Sequence, residues 1–240
     1  MDIVTTAYGW EFLLRWLHFM AGITWIGVLY YFNFIQTPFF GSELGGPAKG
    51  AMTRGLVPNA LWWFRWGAMF TFLTGWLIVG MKLGSGISLA DGYMTRVLTG
   101  GVMGTLMWFN VWFVIWPAQR DYAIKSAEQV AAGGEPVPGT PDKAALAGRA
   151  SRTNTLFSIP TLFFMGSASH MSWLHNGSND LVYWLAAGAV ILFVEYNAFN
   201  VPAATQKPLA TVSGTIHSGL GLTLVLYLVG VFLNSAVVPG

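Results

Sequence analysis

Residues 16–40 read WLHFMAGITWIGVLYYFNFIQTPFF, without one Asp, Glu, Lys or Arg. A helix needs about 20 residues to cross a hydrocarbon core of about 30 Å, and this run is longer than that. It is also too long for the apolar region of a cleaved signal, and no basic segment precedes it. It therefore reads as a retained transmembrane helix. Comparable runs follow, giving about six spans near 10–36, 59–82, 96–117, 153–174, 180–199 and 210–235. The expected fold is all-α, a polytopic helix bundle forming a single integral membrane domain over 1–240.

Composition supports this. Hydrophobic residues make up 54% of the chain and charged residues 9%, whereas a soluble domain carries about 25% charged residues to face water. The 12 Trp suit rings held at the level of lipid headgroups. There are 0 Cys, which excludes disulfides, thiolate metal sites, iron–sulfur clusters and covalent c-type haem. The net charge of +2 is no argument for a nucleic-acid partner, and none is expected.

Between spans one and two lies a Gly/Pro-rich segment, 41–58, read as a loop. The longest polar segment, 118–152, holds Gly133-Gly134-Glu135-Pro136 and Pro138-Gly139 and reads as two short helices around a turn. Lys49, Arg54, Arg65, Arg120, Lys125, Lys143, Arg149, Arg152 and Lys207 flank the odd-numbered loops, against Arg15, Lys82 and Arg96 on the other side. The positive-inside rule then puts 118–152 in the cytoplasm and both termini outside, in the periplasm of a bacterial inner membrane.

An ionisable residue within a span is a functional candidate. His18, His170 and His217 lie in the first, fourth and sixth spans, and His175 falls at the outer surface. Two readings stand for each span histidine: a neutral imidazole bonded to a neighbouring helix, or an axial ligand of haem. A flat porphyrin needs a bare stripe one turn from its ligand. Gly22 follows His18 at i+4, Gly166 precedes His170 at i−4, and Gly214 and Gly221 flank His217, each on the face of its imidazole. With a rise of about 1.5 Å per residue, His18 and His170 both fall near the outer leaflet and could share one haem b iron. His217 lies deeper.

Arg15 follows Glu11 at i+4, so it is either half of an interfacial ion pair or a partner for a haem propionate. Glu195, in the fifth span, could be paired, protonated or part of a proton path. Gly100-x-x-x-Gly104, Ala21, Gly22 and Gly27 read as close-packing positions. Trp62, Trp63 and Trp66, with Trp108, Trp112 and Trp116, fit interfacial belts better than a substrate box.

Four strings carry a resemblance: Arg15-Trp16-x-His18-x-x-Ala21-Gly22-Ile23-x-Trp25-Ile26-Gly27, Trp63-Phe64-Arg65-Trp66, Asn110-Val111-Trp112-Phe113-Val114-Ile115-Trp116-Pro117-x-Gln119, and Asn154 to Met165. Over roughly residues 10–175 the chain resembles the membrane domain of bacterial cytochrome c-dependent urate oxidases. That implies a helical membrane domain working with a periplasmic cytochrome c, here expected to be a separate protein since no cysteine could attach c-type haem. The first string is also similar to small membrane proteins that hold haem b between helices, including the protoporphyrinogen oxidase type, which favours His18 as a ligand.

The resulting expectation is a haem b electron-transfer module, an oxidoreductase if an enzyme, with lipid and a cytochrome c or larger membrane complex as partners. The alternative is a non-catalytic accessory or assembly subunit of a larger membrane oxidase. A transporter is a third reading, weakly supported because Ile159-Pro160 alone suggests a broken helix.

Overall fold

Thr6 opens the first helix by accepting a hydrogen bond from the Gly9 amide at 3.1 Å, which satisfies one of the amides left over at a helix start. The structure is a computed structural model that describes residues 3–171, 180–200 and 204–235. Helix α1 runs Ala7–Phe40. It is followed by α2 (Gly45–Gly55), α3 (Val57–Gly84), α4 (Gly92–Ala131), α5 (Thr140–His170), α6 (Asp180–Phe199), a 3-10 turn (Ala204–Ala210) and α7 (Val212–Ser235). No strand occurs among the described residues, and the all-helical expectation holds. His175 lies outside the described residues.

Five of these helices, α1, α3, α4, α6 and α7, are long and apolar enough to cross a membrane. The span expected over 153–174 falls in α5, which is long enough but polar. Thr153, Asn154, Thr155 and Ser158 are fully buried on it, beside Phe157 and Phe164. Its polar groups meet other helices of the chain and not lipid, which explains why its average apolarity is low. The outward faces elsewhere are apolar: Phe19, Ile23, Leu185 and Phe232 are 66%, 71%, 65% and 67% exposed. Water would not tolerate such a surface at this density, whereas lipid would.

Two loop expectations are corrected. Residues 41–58 are not a loop but contain α2. Pro47 sits in its first turn, where no amide is required, and Gly45 fits because a Cβ there would lie 1.7 Å from the Phe39 carbonyl oxygen. Segment 118–152 does not form separate short helices. With 40 residues, α4 spans roughly 60 Å, so it continues beyond the membrane to Ala131, and α5 begins at Thr140. The turn lies at the glycines expected, with Gly133 at φ 83° and Gly139 at φ 80°.

The continuity of α1 and α4 depends on π turns. Proline inside an α-helix clashes with the carbonyl four residues back. Pro38 and Pro117 are each preceded by a six-residue π segment, Tyr31–Gln36 and Asn110–Ile115. There the Thr37 and Trp116 amides reach back five residues, to the carbonyls of Phe32 and Val111. A third π segment, Gln119–Ile124, follows in α4.

The chain divides into two compact units: residues 3–78 with 107–155, and 79–106 with the described residues from 156 on. Trp25, Leu29, Leu61, Phe64, Met107 and Val111 are buried in the first. Met94, Met103, Phe157, Phe164, Ile191 and Leu226 are buried in the second.

Candidate functional site

In the first unit, His18 on α1 lies against α3. Gly75 admits its ring, because a Cβ there would stand 3.0 Å from His18 Cε1. His18 Nδ1 is 3.1 Å from Thr74 Oγ1. Thr74 has one hydroxyl proton, and that hydroxyl lies 2.6 Å from the Phe70 carbonyl, to which it donates. The imidazole must then be the donor to Thr74, which assigns the Nδ1–H tautomer from the hydrogen-bond network. The ring also hydrogen-bonds the Thr71 backbone. A metal-binding imidazole is oriented by such a donor bond from its other nitrogen. The neighbour-helix bond and the ligand reading, alternatives in the sequence, are therefore compatible.

Gly22, one turn on, is nearly open, since a Cβ would meet only Thr71 Cγ2 at 3.9 Å. Arg15 forms the ion pair that its spacing allowed, with Nε and Nη2 each 2.9 Å from Glu11 Oε1. The close approach of α1 to α3 does not use Gly27, which has nothing within 4 Å. It uses Gly67 of α3, where a Cβ would come within 3.1 Å of the Trp25 amide nitrogen.

In the second unit, His170 is the last residue of α5 and exposed, as is Gly166, whose missing Cβ faces open space. His217 is also exposed, and its Nδ1 lies 2.8 Å from the Ser213 carbonyl. Gly214 does not serve as a bare stripe for it, because a Cβ there would be 2.0 Å from the Pro208 carbonyl oxygen; Gly221 is open. Arg96, expected near an outer loop, is instead 5% exposed. Its Nη2 donates to the Ala168 carbonyl at 3.3 Å in the last turn of α5, where a cation favours the helix C-terminus. Glu195 is buried on α6.

Sequence reasoning missed a polar layer. In the first unit, Asn33 Nδ2 donates to the Leu29 carbonyl at 2.9 Å and to Ser151 Oγ at 2.8 Å. Asn110 Nδ2 donates to Asn154 Oδ1, and Asn154 Nδ2 to the Met107 carbonyl, both at 2.9 Å. Asn33 and Asn110 each lie in a π segment. Amides in apolar spans a few residues before proline were the available signal.

A family model described as urate oxidase N-terminal matches residues 91–227. The chain belongs to the urate oxidase N-terminal family. The family match begins later and ends later than the resemblance over 10–175: it takes in the strings at Asn110 and Asn154, with His170, Glu195 and His217, and leaves out those at Arg15 and Trp63, with His18. No curated protein and no solved structure matches the chain significantly.

Proposed function

We propose that this urate oxidase N-terminal family member is a membrane-embedded redox module that holds haem b. His18 would hold it, and His170 is the candidate for the second ligand. The observation that carries this reading is the His18–Thr74–Phe70 relay, which orients the imidazole. Haem b held in this way would supply one-electron transfer. The chain's own residues provide ligation, orientation through Thr74, and a helix surface kept flat at Gly22 and Gly166. Arg15, already held by Glu11, stands one turn from His18 and suits a propionate. On this reading both termini are outside and the 118–152 segment is on the cytoplasmic side of a bacterial inner membrane, and the redox partner would be a separate periplasmic cytochrome c.

The test is the absorption spectrum of detergent-purified protein. A reducible, low-spin b-type spectrum is expected, lost or turned high-spin in His18→Ala and His170→Ala. A folded, colourless protein refutes it. If His217→Ala loses haem while His170→Ala stays low-spin, the second ligand lies on α7. The accessory-subunit reading draws on the apolar window of α1, only 11% of which is buried within the chain, leaving a face for another subunit's helices. Co-purification with a larger oxidase at fixed stoichiometry supports it, and a stable solitary monomer counts against it.

A further inference from the structure

Arg65, eight residues into α3, lies among indole rings. Its guanidinium carbon is 4.0 Å from the ring centre of Trp116, 5.0 Å from that of Trp112 and 5.7 Å from that of Trp66. Arg120 lies over Trp116 too, at 5.8 Å. The two cations differ in their partners. Arg120 is held by Asp121 through two bonds of 2.7 Å. Arg65 has no carboxylate partner and no hydrogen bond among the described residues, although its Nε is shielded from solvent. Stacking on indole satisfies the faces of a guanidinium but not its N–H edges, which match the oxygens of a phosphate. The arginine is half-buried and only its Nε is shielded, so its two terminal nitrogens can be reached from outside.

What surrounds this cation is apolar. Trp62 and Trp63, close to Arg65 in α3, are 49% and 58% exposed. Towards the membrane interior along the same two helices come Phe70, Phe113 and Phe109, all exposed. Trp66 and Phe70 rings are 6.0 Å apart and Phe109 and Phe113 rings 5.0 Å. An aromatic strip thus leads from the guanidinium into the depth where acyl chains lie. Basic pockets beside transmembrane helices recognise anionic headgroups in this way.

We infer that Arg65, stacked on Trp116 and backed by Arg120, binds a phosphate oxyanion at the end of α3, and that this phosphate is the headgroup of an anionic lipid whose chains lie along Phe70 and Phe113. The site is independent of the haem proposal. Native mass spectrometry of the full chain, released from micelles doped with phosphatidylglycerol or phosphatidylcholine, tests it. Wild-type protein retains phosphatidylglycerol preferentially. Arg65→Gln and Trp116→Leu each lower that retention about five- to tenfold, the scale of one basic side chain at an anionic surface, while Arg54→Gln leaves it unchanged. Millimolar inorganic phosphate fails to displace the lipid; displacement would make free phosphate the occupant and overturn the lipid assignment. Equal retention of the two lipids, or an Arg65→Gln protein that keeps phosphatidylglycerol as well as wild type does, overturns the site.

Discussion

Thr74 accepts from His18 only because its own proton goes to Phe70, and that small relay makes a sharp prediction. Thr74→Val removes the acceptor while keeping the shape, so the imidazole loses its orientation. Haem retention should fall about 10- to 100-fold, the usual effect of losing an outer partner of a metal ligand. Thr74→Ser should restore it, measured by haem titration of the apoprotein. At the same scale, Asn154→Leu removes both the acceptor for Asn110 and the donor to the Met107 carbonyl. Burial without those bonds should cost about 1–3 kcal/mol, read as a lower thermal midpoint in detergent. An unchanged midpoint would show that the layer is not structural.

Elements pack where glycine permits, and glycine spacing alone does not say where. Of the Gly100-x-x-x-Gly104 pair, only Gly100 meets another helix: a Cβ there would be 3.2 Å from the Thr161 carbonyl oxygen, whereas Gly104 has nothing within 4 Å. A tighter approach is at Gly219, where a Cβ would lie 2.5 Å from Ile159 Cδ1 and 2.9 Å from the Leu156 carbonyl oxygen. Ile159 can move its end but the carbonyl cannot. Gly219→Ala should therefore destabilise by about 1–3 kcal/mol through overpacking. Gly104→Ala should be neutral or stabilising by up to about 1 kcal/mol, through helix propensity. Thermal unfolding of both variants in one detergent decides between this and a uniform glycine effect. The π segments belong to this scale too. The two that precede proline each set a buried asparagine, Asn33 or Asn110, in a helix that continues through it.

For the whole molecule, the absence of cysteine makes topology easy to test. Glu135→Cys, in the turn between α4 and α5, should react with an impermeant maleimide only after permeabilisation of the cell membrane. Ser88→Cys, between α3 and α4, should react in spheroplasts without it. The reverse pattern would invert the proposed orientation. The membrane class and the helical class were legible in the sequence, because lipid imposes a length and an apolarity that each segment must meet by itself. The polar character of α5 was misleading for the same reason: a helix whose polar side chains are buried against other helices answers to them. His18 was legible as a rare ionisable group in an apolar run, and its ion-paired neighbour Arg15 from its spacing to Glu11. Thr74, Gly75, Gly67, Gly219 and the tryptophans around Arg65 were not. Their roles depend on which face of one helix meets which face of another, which the composition of a single segment does not give. Local composition thus determined what this chain dissolves in and how it coils, while tertiary packing alone decided which hydroxyl orients the His18 imidazole, which glycine is needed and which arginine lacks a carboxylate.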